Sequence, residues 1–543
     1  MKKEDLVVYE IYVKSFNDSN DDGIGDLNGI KEKIPYLRKL GINYIWLTPI
    51  YQTPNIDNGY DIENYYKINP DYGTMSDFNN LLKEAKKYKI NIMLDMVLNH
   101  TSTQHHWFKK ALKGSRKYQN YYFFEKGKNN KPPTNWTSKF GGSAWEYIKK
   151  LDLWYLHLFS KQQADINWEN KKLRAEVFKI VNFWLKKGVK GLRFDVINLI
   201  SKPEKKNWKN DLKYNDGRKF YTDGKNINFY LKELNKKTFS NYKNVFTVGE
   251  LSSTNLKHFA NYSNPKNKEL DMGFIFYHLK TDYIDNHKWS YAPTKDFKKF
   301  KEVIETWQLY QQKHNSWIAN FLSNHDQPRH ISRFGNDKIY HYQSATCFAV
   351  LYIFLRGTPF IYYGEEIGQT NLYNTKIEEF NDIETTNAYK KLRSENKTDD
   401  QILKIINQKS RDNGRSPFAW NNKKYYGFSE TRPWLKYKNI YNITLENDLK
   451  NKNSIFKFYQ EILRLRQQNK TFKLGKIKFI ETNNDNIFIY ERYDDQKNYQ
   501  IILNLSDKKQ NYKIKENIKI IINNHEKLNF NFLNPYQAII VEC

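Results

Sequence analysis

Short apolar runs alternate along the chain with longer amphipathic stretches. Eight runs are rich in β-branched and aromatic residues, as buried strands are: VVYEIYV from Val7, YIWLTPI from Tyr44, IMLDMV from Ile92, GLRFDV from Gly191, VFTVGE from Val245, GFIF from Gly273, WIANFLSN from Trp317 and PFIYYGEE from Pro359. Helical spacing of apolar residues recurs in other stretches, including IKEKIPYLRKL from Ile30, DFNNLLKEAKKY from Asp77, KLRAEVFKIVNFWLKK from Lys172 and IFKFYQEILRLRQQ from Ile455. Eight strands alternating with helices predict an α/β fold, a (β/α)8 TIM barrel.

Three segments depart from this alternation of strands and helices, and two of them predict further domains. A long, aromatic-rich and loop-like segment follows the third strand, which predicts an inserted subdomain over 100–168. A second excursion, from about Gly368 to Tyr441, follows the eighth strand. After about Thr471 the pattern changes to short alternating strands, which predicts a C-terminal antiparallel β domain over 471–543. The barrel then comprises 1–99 and 169–470.

The composition is that of a large globular protein. The 543 residues are 39% hydrophobic and 16% aromatic, which is enough for an extensive core in several domains. No apolar run reaches the roughly 18 residues of a membrane helix, so we expect a protein that is neither exported nor embedded in a membrane. The two cysteines, Cys347 and Cys543, argue against a disulfide framework or a thiolate metal site. We therefore expect a cytoplasmic protein.

The net charge of +29 raises the question of a nucleic-acid partner. The lysines and arginines are spread over the whole chain, whereas a nucleic-acid binder concentrates them on one surface. We therefore expect neither a nucleic-acid nor a membrane partner. A locally positive field would better serve a small anionic substrate.

Polar residues stand at the predicted ends of four strands. The carboxyl ends of barrel strands meet at one mouth, where TIM-barrel enzymes have their active sites. The residues at these ends are Asp95, Asn99, His100, Arg193, Asp195, Glu250, His325 and Asp326. Convergent carboxylates suit glycoside hydrolysis, in which one attacks the anomeric carbon and another protonates the leaving oxygen. For each residue alone a buried ion pair is the alternative, but the whole set favours an active site.

Four of these segments resemble the signature segments of the α-amylase superfamily. They are DMVLNH from Asp95, GLRFDVINLI from Gly191, VGEL from Val248 and FLSNHD from Phe321. QQADINWEN from Gln162 is similar to a fifth segment of the oligo-1,6-glucosidase branch. The likeness runs from Tyr9 to at least Trp434. It implies a barrel glycosidase that needs no organic cofactor.

The resemblance also implies roles for individual residues. Asp195 would be the nucleophile, Glu250 the general acid and then the base, and Asp326 the group that stabilises the distorted transition state. Arg193, two residues before Asp195 on the same strand face, would keep Asp195 ionised.

Further residues of the resembling segments would bind the substrate. His100 and His325 would bond to the glucose hydroxyls, and Tyr60 would stack on the sugar ring. Asp57 and Arg411 would pair to close the pocket behind the non-reducing end. A closed pocket implies an exo-acting enzyme that accepts one terminal glucose.

Several loops favour a particular substrate within this branch. Val196 follows the predicted nucleophile, and NWTSKFGGSAWE from Asn135, DGRKFYTDG from Asp216 and HLKTDY from His278 resemble the loops of trehalose-6-phosphate hydrolases. The resemblance implies a retaining α-glucosidase that cleaves trehalose 6-phosphate. An oligo-1,6-glucosidase or sucrase acting on neutral sugars is the alternative, and a non-catalytic barrel scaffold is an alternative of another class.

A sugar phosphate requires cations that a neutral disaccharide does not. Lys280 and Lys288 follow the sixth strand and are our candidates for the phosphate, and Lys202 after the fourth strand is a third. We expect the protein to act on this small molecule as a monomer.

The loop DSNDDGIGD, from Asp18 to Asp26, spaces its oxygen-bearing side chains as a calcium loop does. Its twelfth position is Gly29, where an EF-hand requires a bidentate Glu, so a calcium sensor is not expected. The resemblance implies a structural cation instead, either Ca²⁺ or Mg²⁺. Its ligands would be the side chains of Asp18, Asn20, Asp22 and Asp26 and the main-chain carbonyl of Ile24.

Overall fold

The structure is a computed structural model that describes residues 2–285, 287–292, 295–515 and 518–543. Eight strands close into a barrel, and every neighbouring pair is parallel. In chain order the barrel strands are Val8–Ile11, Tyr44–Leu47, Asn91–Val97, Gly191–Asp195, Phe246–Glu250, Met272–Phe274, Ile318–Asn320 and Thr358–Tyr362. The predicted (β/α)8 fold is confirmed, and all eight strands lie within or next to the predicted runs.

Helices surround the barrel and extend its loops. The α-helices of the described residues are Leu27–Glu32, Ile34–Leu40, Met75–Lys87, His106–Leu112, Arg116–Gln119, Lys171–Lys186, Arg218–Tyr221, Ile227–Lys237, Leu256–Ser263, Phe297–Lys313, His330–Arg333, His341–Ile353, Ile383–Ser394, Asp399–Lys409, Leu445–Lys450, Ile455–Gln468 and Lys470–Leu474. The 3-10 helices are Lys3–Asp5, Val13–Ser15, Pro70–Tyr72, Ile197–Leu199, Lys205–Asn207, Phe239–Asn241, Pro265–Asn267, Tyr277–Lys280, Glu365–Ile367, Ile377–Glu379, Arg411–Arg415 and Lys424–Gly427. Among the described residues, none of these helices combines the length and the apolar character that crossing a membrane requires.

Local sequence explains where several helices begin and end. Thr74 and Asp77 form a capping box at the start of Met75–Lys87, each side chain accepting a hydrogen bond from the other residue's backbone N–H. The single helix predicted from Ile30 is two helices, because Pro35 near the start of the second has no N–H to continue the first. The second helix ends at Gly41, which adopts the left-handed conformation (φ 106°) that glycine tolerates.

The segment 100–168 contains secondary structure of its own. Strands His100–Ser102 and Gln163–Asp165 pair antiparallel where the segment leaves and rejoins the barrel. Beyond them lie two of the helices and a three-stranded sheet in the order Phe124–Glu125, Leu153–Leu156, Trp145–Ile148. The ring of Trp145 packs against Trp208, which follows the fourth barrel strand, with centroids 4.8 Å apart. The subdomain is thereby packed against the loop that carries residues after Asp195.

Two further regions complete the chain. Helices Ile383–Ser394 and Asp399–Lys409, after the eighth barrel strand, share a small apolar cluster that includes Leu392 and Ile405. The C-terminal sheet has five antiparallel strands in the order Lys476–Ile480, Ile487–Tyr493, Asn498–Asn504, Ala538–Glu542, Lys519–Asn523. Smaller antiparallel pairs are Gln510–Asn511 with Phe532–Leu533 and Tyr51–Gln52 with Asn64–Ile68. A helix, Lys470–Leu474, precedes the sheet, and the first strand, Lys476–Ile480, lies within the predicted segment 471–543.

Candidate active site

A cleft of about 200 Å³ opens at the carboxyl ends of the barrel strands. Most of the predicted site residues line it: Asp57, Tyr60, His100, Asp195, Glu250, Lys280, Lys288, Asp326 and Arg411. The other two, Arg193 and His325, lie beneath its surface and are each 1% exposed. The structure therefore brings these eleven residues to one mouth of the barrel.

Arg193 organises the carboxylates from below. Its Nη1 donates to both oxygens of Asp95 at 2.7 and 2.9 Å and to Oδ1 of Asp195 at 2.8 Å, and its Nη2 donates to Oε2 of Glu250. Arg193 and Asp195 are two residues apart on one strand, so their side chains point to the same side. One buried guanidinium thus holds carboxylates from three adjacent strands.

The two carboxyls of the predicted catalytic pair differ in their attachment to Arg193 and in their pKa. Burial raises the pKa of Asp195 to about 7, and the neighbouring Arg193 counteracts that rise. Burial raises the pKa of Glu250 to about 8, where Arg193 also counteracts and the charge of Asp195 adds to the rise. The pKa of each carboxyl is thus raised toward neutrality, which suits the general acid predicted at Glu250.

The residue after Asp195 has an unusual backbone conformation. Val196 has φ 34° and ψ 41°, in the left-handed region that β-branched residues rarely adopt. Such a conformation costs on the order of 1–3 kcal/mol and is found mainly at functional sites. It turns the chain directly after Asp195 and leaves the N–H of Val196 at 3.5 Å from Oε2 of Glu250.

Two arginines hold Asp326. Its Oδ1 accepts from Nη1 of Arg411 at 3.2 Å and from Nη2 of Arg415 at 3.0 Å. Although burial opposes ionisation, the charges of Arg411 and Arg415 help to hold the pKa of Asp326 well below its usual range. Asp326 is therefore a carboxylate near neutral pH. Arg415 was not predicted, although it follows Arg411 in RDNGR.

Asp57 and Arg411 form the predicted pair at one end of the cleft. Nη2 of Arg411 donates to Oδ1 of Asp57 at 3.0 Å and to Oδ1 of Asp382 at 2.6 Å. Nε2 of Gln163, from the inserted subdomain, donates to Oδ2 of Asp57 at 3.0 Å. Burial raises the pKa of Asp57 to about 6, and Arg411 counteracts that rise. Residues from the barrel and from both insertions therefore close this end.

Tyr60 and the two histidines bond mainly to one another and to the protein. The hydroxyl of Tyr60 donates to Oδ2 of Asp95 at 2.9 Å and lies 2.7 Å from Nε2 of His325, with the two rings stacked 5.1 Å apart. Nδ1 of His325 is 2.5 Å from Oε1 of Glu10, and Nε2 of His100 is 3.0 Å from the carbonyl of Tyr60. Burial lowers the pKa of His325 to about 3 and that of His100 to about 4. Both imidazoles are therefore neutral, and His325 supports Tyr60 from behind.

The cleft also has a wall of lysines near Glu250. Lys280, as predicted, lines it together with Lys139 of the inserted subdomain. Burial lowers the pKa of Lys139 to about 7, the charges of Arg218 and Lys280 lower it further, and Glu250 counteracts. Burial and Arg218 lower the pKa of Lys280 to about 8. Lys139 was not predicted; its only signal was its place in the loop NWTSKFGGSAWE.

Lys288 has a different environment from Lys280. Its Nζ pairs with Oε2 of Glu384 at 2.6 Å, and the same oxygen lies 3.4 Å from Nε of Arg411. Lys288 is therefore neutralised on the side of the cleft where Arg411 and Asp326 lie.

Lys202 does not reach the cleft, so its prediction as a phosphate ligand is wrong. Its buried Nζ pairs with Oδ2 of Asp165 at 2.6 Å and also donates to the side-chain oxygen of Asn99. A buried ammonium requires such a partner, and the pair ties the inserted subdomain to the loop after the fourth strand.

The loop predicted to bind a cation is compact but forms no metal cluster. Asp26 caps the helix Leu27–Glu32, accepting from the N–H of Gly29 at 2.7 Å and from the N–H and hydroxyl of Ser19, both at 2.8 Å. Asp18 accepts from the N–H groups of Asp21 and Gly23 at 2.8 and 2.7 Å.

The other two predicted side-chain ligands, Asn20 and Asp22, are exposed and bond to each other at 3.1 Å. In the described residues no three Asp, Glu, His or Cys side chains come together as metal ligands. An ion would have to share oxygens that already shape the loop, so the structural cation stays a prediction.

Comparisons with known proteins agree with the site. The family model described as "Alpha amylase, catalytic domain" matches residues 10–475. The chain is 42% identical to the trehalose-6-phosphate hydrolase of Bacillus subtilis, over 98% of this chain and 97% of that protein. It is 40% identical to the oligo-1,6-glucosidase of Bacillus cereus, over 99% of this chain and 98% of that protein.

A solved structure shows the same fold. A variant of the trehalose-6-phosphate hydrolase of Bacillus licheniformis superposes with a TM-score of 0.95 at 41% identity, covering 99% of both chains. The family model matches most of the chain, and the similarities to these relatives extend over its full length. Together they identify the family of the chain. The chain belongs to the α-amylase family of glycoside hydrolases.

Proposed function

We propose that the protein is a retaining, exo-acting α-glucosidase that hydrolyses trehalose 6-phosphate to glucose and glucose 6-phosphate. The observation that carries the proposal is the pairing of two features in one cleft: a closed end built on Asp57 and Arg411, and two lysines of the lining, Lys139 near Glu250 and Lys280 near Lys139. The first suits a terminal glucose, and the second suits an anionic leaving group. The full-length likeness to a trehalose-6-phosphate hydrolase supports the same substrate.

In the first step Asp195 attacks the anomeric carbon of the terminal glucose. A bond forms between its carboxylate oxygen and that carbon while the bond to the glycosidic oxygen breaks. Glu250 gives its proton to the departing oxygen, which leaves as a hydroxyl of glucose 6-phosphate. Arg193 remains bonded to both carboxyls and stabilises the negative charge that develops on Glu250.

In the second step Glu250, now a carboxylate, takes a proton from water. The water oxygen attacks the anomeric carbon, and the bond to Asp195 breaks. Two inversions at one carbon retain its configuration. Asp326, kept ionised by Arg411 and Arg415, is placed to accept bonds from glucose hydroxyls and to stabilise positive charge on the ring.

The lysines have a reason to be near Glu250 if the leaving group is phosphorylated. Glu250 protonates the leaving oxygen, so groups near it face the leaving sugar. The charge of Lys280 lowers the pKa of Lys139, and a dianion bound near both ammonium groups would offset that repulsion, which a neutral disaccharide cannot do. We assign the phosphate to Lys139 and Lys280, with Lys288 as a weaker contributor because Glu384 neutralises it.

A direct comparison of substrates tests the proposal. Rates of glucose release from trehalose 6-phosphate, trehalose, isomaltose and sucrose should be highest for the phosphorylated sugar. Faster hydrolysis of isomaltose would favour an oligo-1,6-glucosidase, the function of the relative in Bacillus cereus, and would overturn the proposal. No hydrolysis of any of the four would favour a non-catalytic scaffold.

The proposal includes a structural cation, Ca²⁺ or Mg²⁺, in the loop from Asp18 to Asp26, supported by the spacing of its oxygen-bearing residues. Added Ca²⁺ should raise the melting temperature of the wild type and not of an Asp22→Ala variant. A wild-type melting temperature that neither Ca²⁺, Mg²⁺ nor a chelator changes would contradict the site.

The proposal also includes the oligomeric state and the location of the enzyme. We propose a monomer in the cytoplasm that acts on a small molecule and has no nucleic-acid or membrane partner. Light scattering tests the oligomeric state, and cell fractionation tests the location.

A further inference from the structure

A second cavity lies next to the active-site cleft and has no part in the mechanism. It is formed by the segment 284–291, in which Asn286 lies outside the described residues, and by helices Ile383–Ser394 and Asp399–Lys409. Its volume of about 610 Å³ exceeds the roughly 200 Å³ of the cleft itself. It is therefore large enough for a monosaccharide phosphate.

The floor of this cavity is apolar and includes an indole. Leu392 and Ile405 are buried, and Trp289 packs on the cluster to which they belong. An aromatic ring partly exposed at a cavity floor offers a surface for the apolar face of a sugar ring.

The rim is basic. Four lysines and two carboxylates are among the described residues of its lining: Lys288, Lys391, Lys397, Lys404, Asp285 and Glu395. Lys391 and Lys397 share the carboxylate of Glu395, at 4.0 and 3.6 Å. With Glu384, the partner of Lys288, included, the four lysines exceed the carboxylates by one, and this remaining positive charge favours an anionic occupant.

Lys288 connects this cavity with the active site, because it lines both. It lies over the ring of Trp289, with Nζ 5.0 Å from the ring centroid, and pairs with Glu384 at 2.6 Å. Glu384 belongs to the helix that carries Lys391 and approaches Arg411, which holds Asp57 and Asp326. A contiguous set of ion pairs thus leads from the second cavity to the closed end of the cleft.

We propose that this cavity is a second binding site for a sugar phosphate, and that its occupation inhibits the active site. An anion at the rim attracts Lys288 away from Glu384. The carboxylate of Glu384 then competes for Arg411 with Asp57 and Asp326, which loosens the closed end of the cleft. The choice of a sugar phosphate as the occupant rests on the proposed function, whereas the cavity and its charge do not.

Binding of glucose 6-phosphate, measured by titration calorimetry on the whole protein, tests the second site directly. We expect two sites in the wild type and one in the double variant Lys391→Glu, Lys404→Glu, whose exposed positions put the fold at no risk. The affinity of the second site should fall by about tenfold or more, since charged hydrogen bonds to phosphate are lost. The matched control is Lys452→Glu, at an 82% exposed lysine remote from both cavities.

Kinetics separate this inference from the proposed function. Glucose 6-phosphate leaves before the glucosyl-enzyme is hydrolysed, so it lowers kcat through the active site as well. The double variant should keep that product inhibition and lose only the additional inhibition that depends on the second site. A single site in the wild type, or a double variant inhibited as strongly as the wild type, would overturn the inference while leaving the hydrolase intact. If inorganic phosphate bound to the second site as tightly as glucose 6-phosphate, the sugar would have no role there and the inference would be wrong. If trehalose 6-phosphate were not hydrolysed, the number of binding sites would still decide whether the cavity binds a sugar phosphate.

Discussion

The two walls of the cleft differ in how their charged side chains are paired. At the closed end, each carboxylate has an arginine: Asp195 has Arg193, Asp57 has Arg411, and Asp326 has Arg411 and Arg415. On the other wall, Lys139 and Lys280 are half-buried near Arg218, whose charge lowers the pKa of both, and Lys280 lowers the pKa of Lys139 further. The preorganised ion pairs of the first wall stabilise charge in the chemical step. The neighbouring cations of the second wall favour the binding of an anionic ligand. The comparison predicts that changes at the first wall abolish catalysis and changes at the second alter specificity.

The largest effect is expected for Asp195→Asn. An amide cannot form the glycosyl intermediate, so kcat should fall by about 10⁴-fold or more for every substrate. The measurement is glucose release from trehalose 6-phosphate and from trehalose. Circular dichroism and the melting temperature should confirm that the variant folds. Residual activity within a hundredfold of the wild type on either sugar would remove Asp195 from the mechanism.

The next largest effect is expected for Lys139→Ala and Lys280→Ala. Each should lower kcat/KM for trehalose 6-phosphate by about 10- to 100-fold, since a charged hydrogen bond to the phosphate contributes roughly 1.5–3 kcal/mol. The rate with unphosphorylated trehalose should change little. Lys161→Ala, at a 60% exposed lysine of the same subdomain, is the matched control. Equal losses on both sugars would show that the lysine wall does not recognise phosphate.

The pH dependence should distinguish the two walls in the unmodified protein. The general acid Glu250 must be protonated, so with trehalose kcat/KM should fall as the pH rises through about 8. Lys139 is charged only below its pKa of about 7, so the ratio of kcat/KM for trehalose 6-phosphate to that for trehalose should fall by about tenfold between pH 6 and 8. In Lys139→Ala the decline of this ratio should disappear. An unchanged decline in that variant would assign it to another group.

The smallest effect is expected for Lys288→Ala. Glu384 already neutralises Lys288, so the loss with trehalose 6-phosphate should be about fivefold or less, as for weakly coupled ion pairs. Lys280→Ala, measured beside it, provides the reference. If Lys288→Ala caused the larger loss, the phosphate would lie on the side of Glu384 and the proposed orientation of the substrate would have to be reversed.

The site residues that could be predicted from the sequence lie on or at the ends of strands, where the two-residue period decides which way a side chain points. Arg193 and Asp195 share a strand face because of the two-residue period, and Glu250 ends its own strand, so a closed barrel brings them together. The three lysine candidates had no such constraint. Lys280 lines the cleft, Lys288 pairs with Glu384, and Lys202 is buried against Asp165. All three follow strands, but the path of the following loop, not the strand, decides where each ammonium points.

The sequence by itself determined the barrel, the order of its strands and the residues at their ends. Those features depend on the alternation of apolar and polar residues and on helix caps, which act over a few positions. Only the tertiary structure placed Lys139 beside Glu250, joined Asp326 to Arg415 and connected Lys288 through Glu384 to Arg411. These contacts join segments far apart in the chain, and their geometry follows from how whole domains pack. The catalytic residues could therefore be predicted from local sequence pattern. The positions of the lysines that would bind phosphate could not.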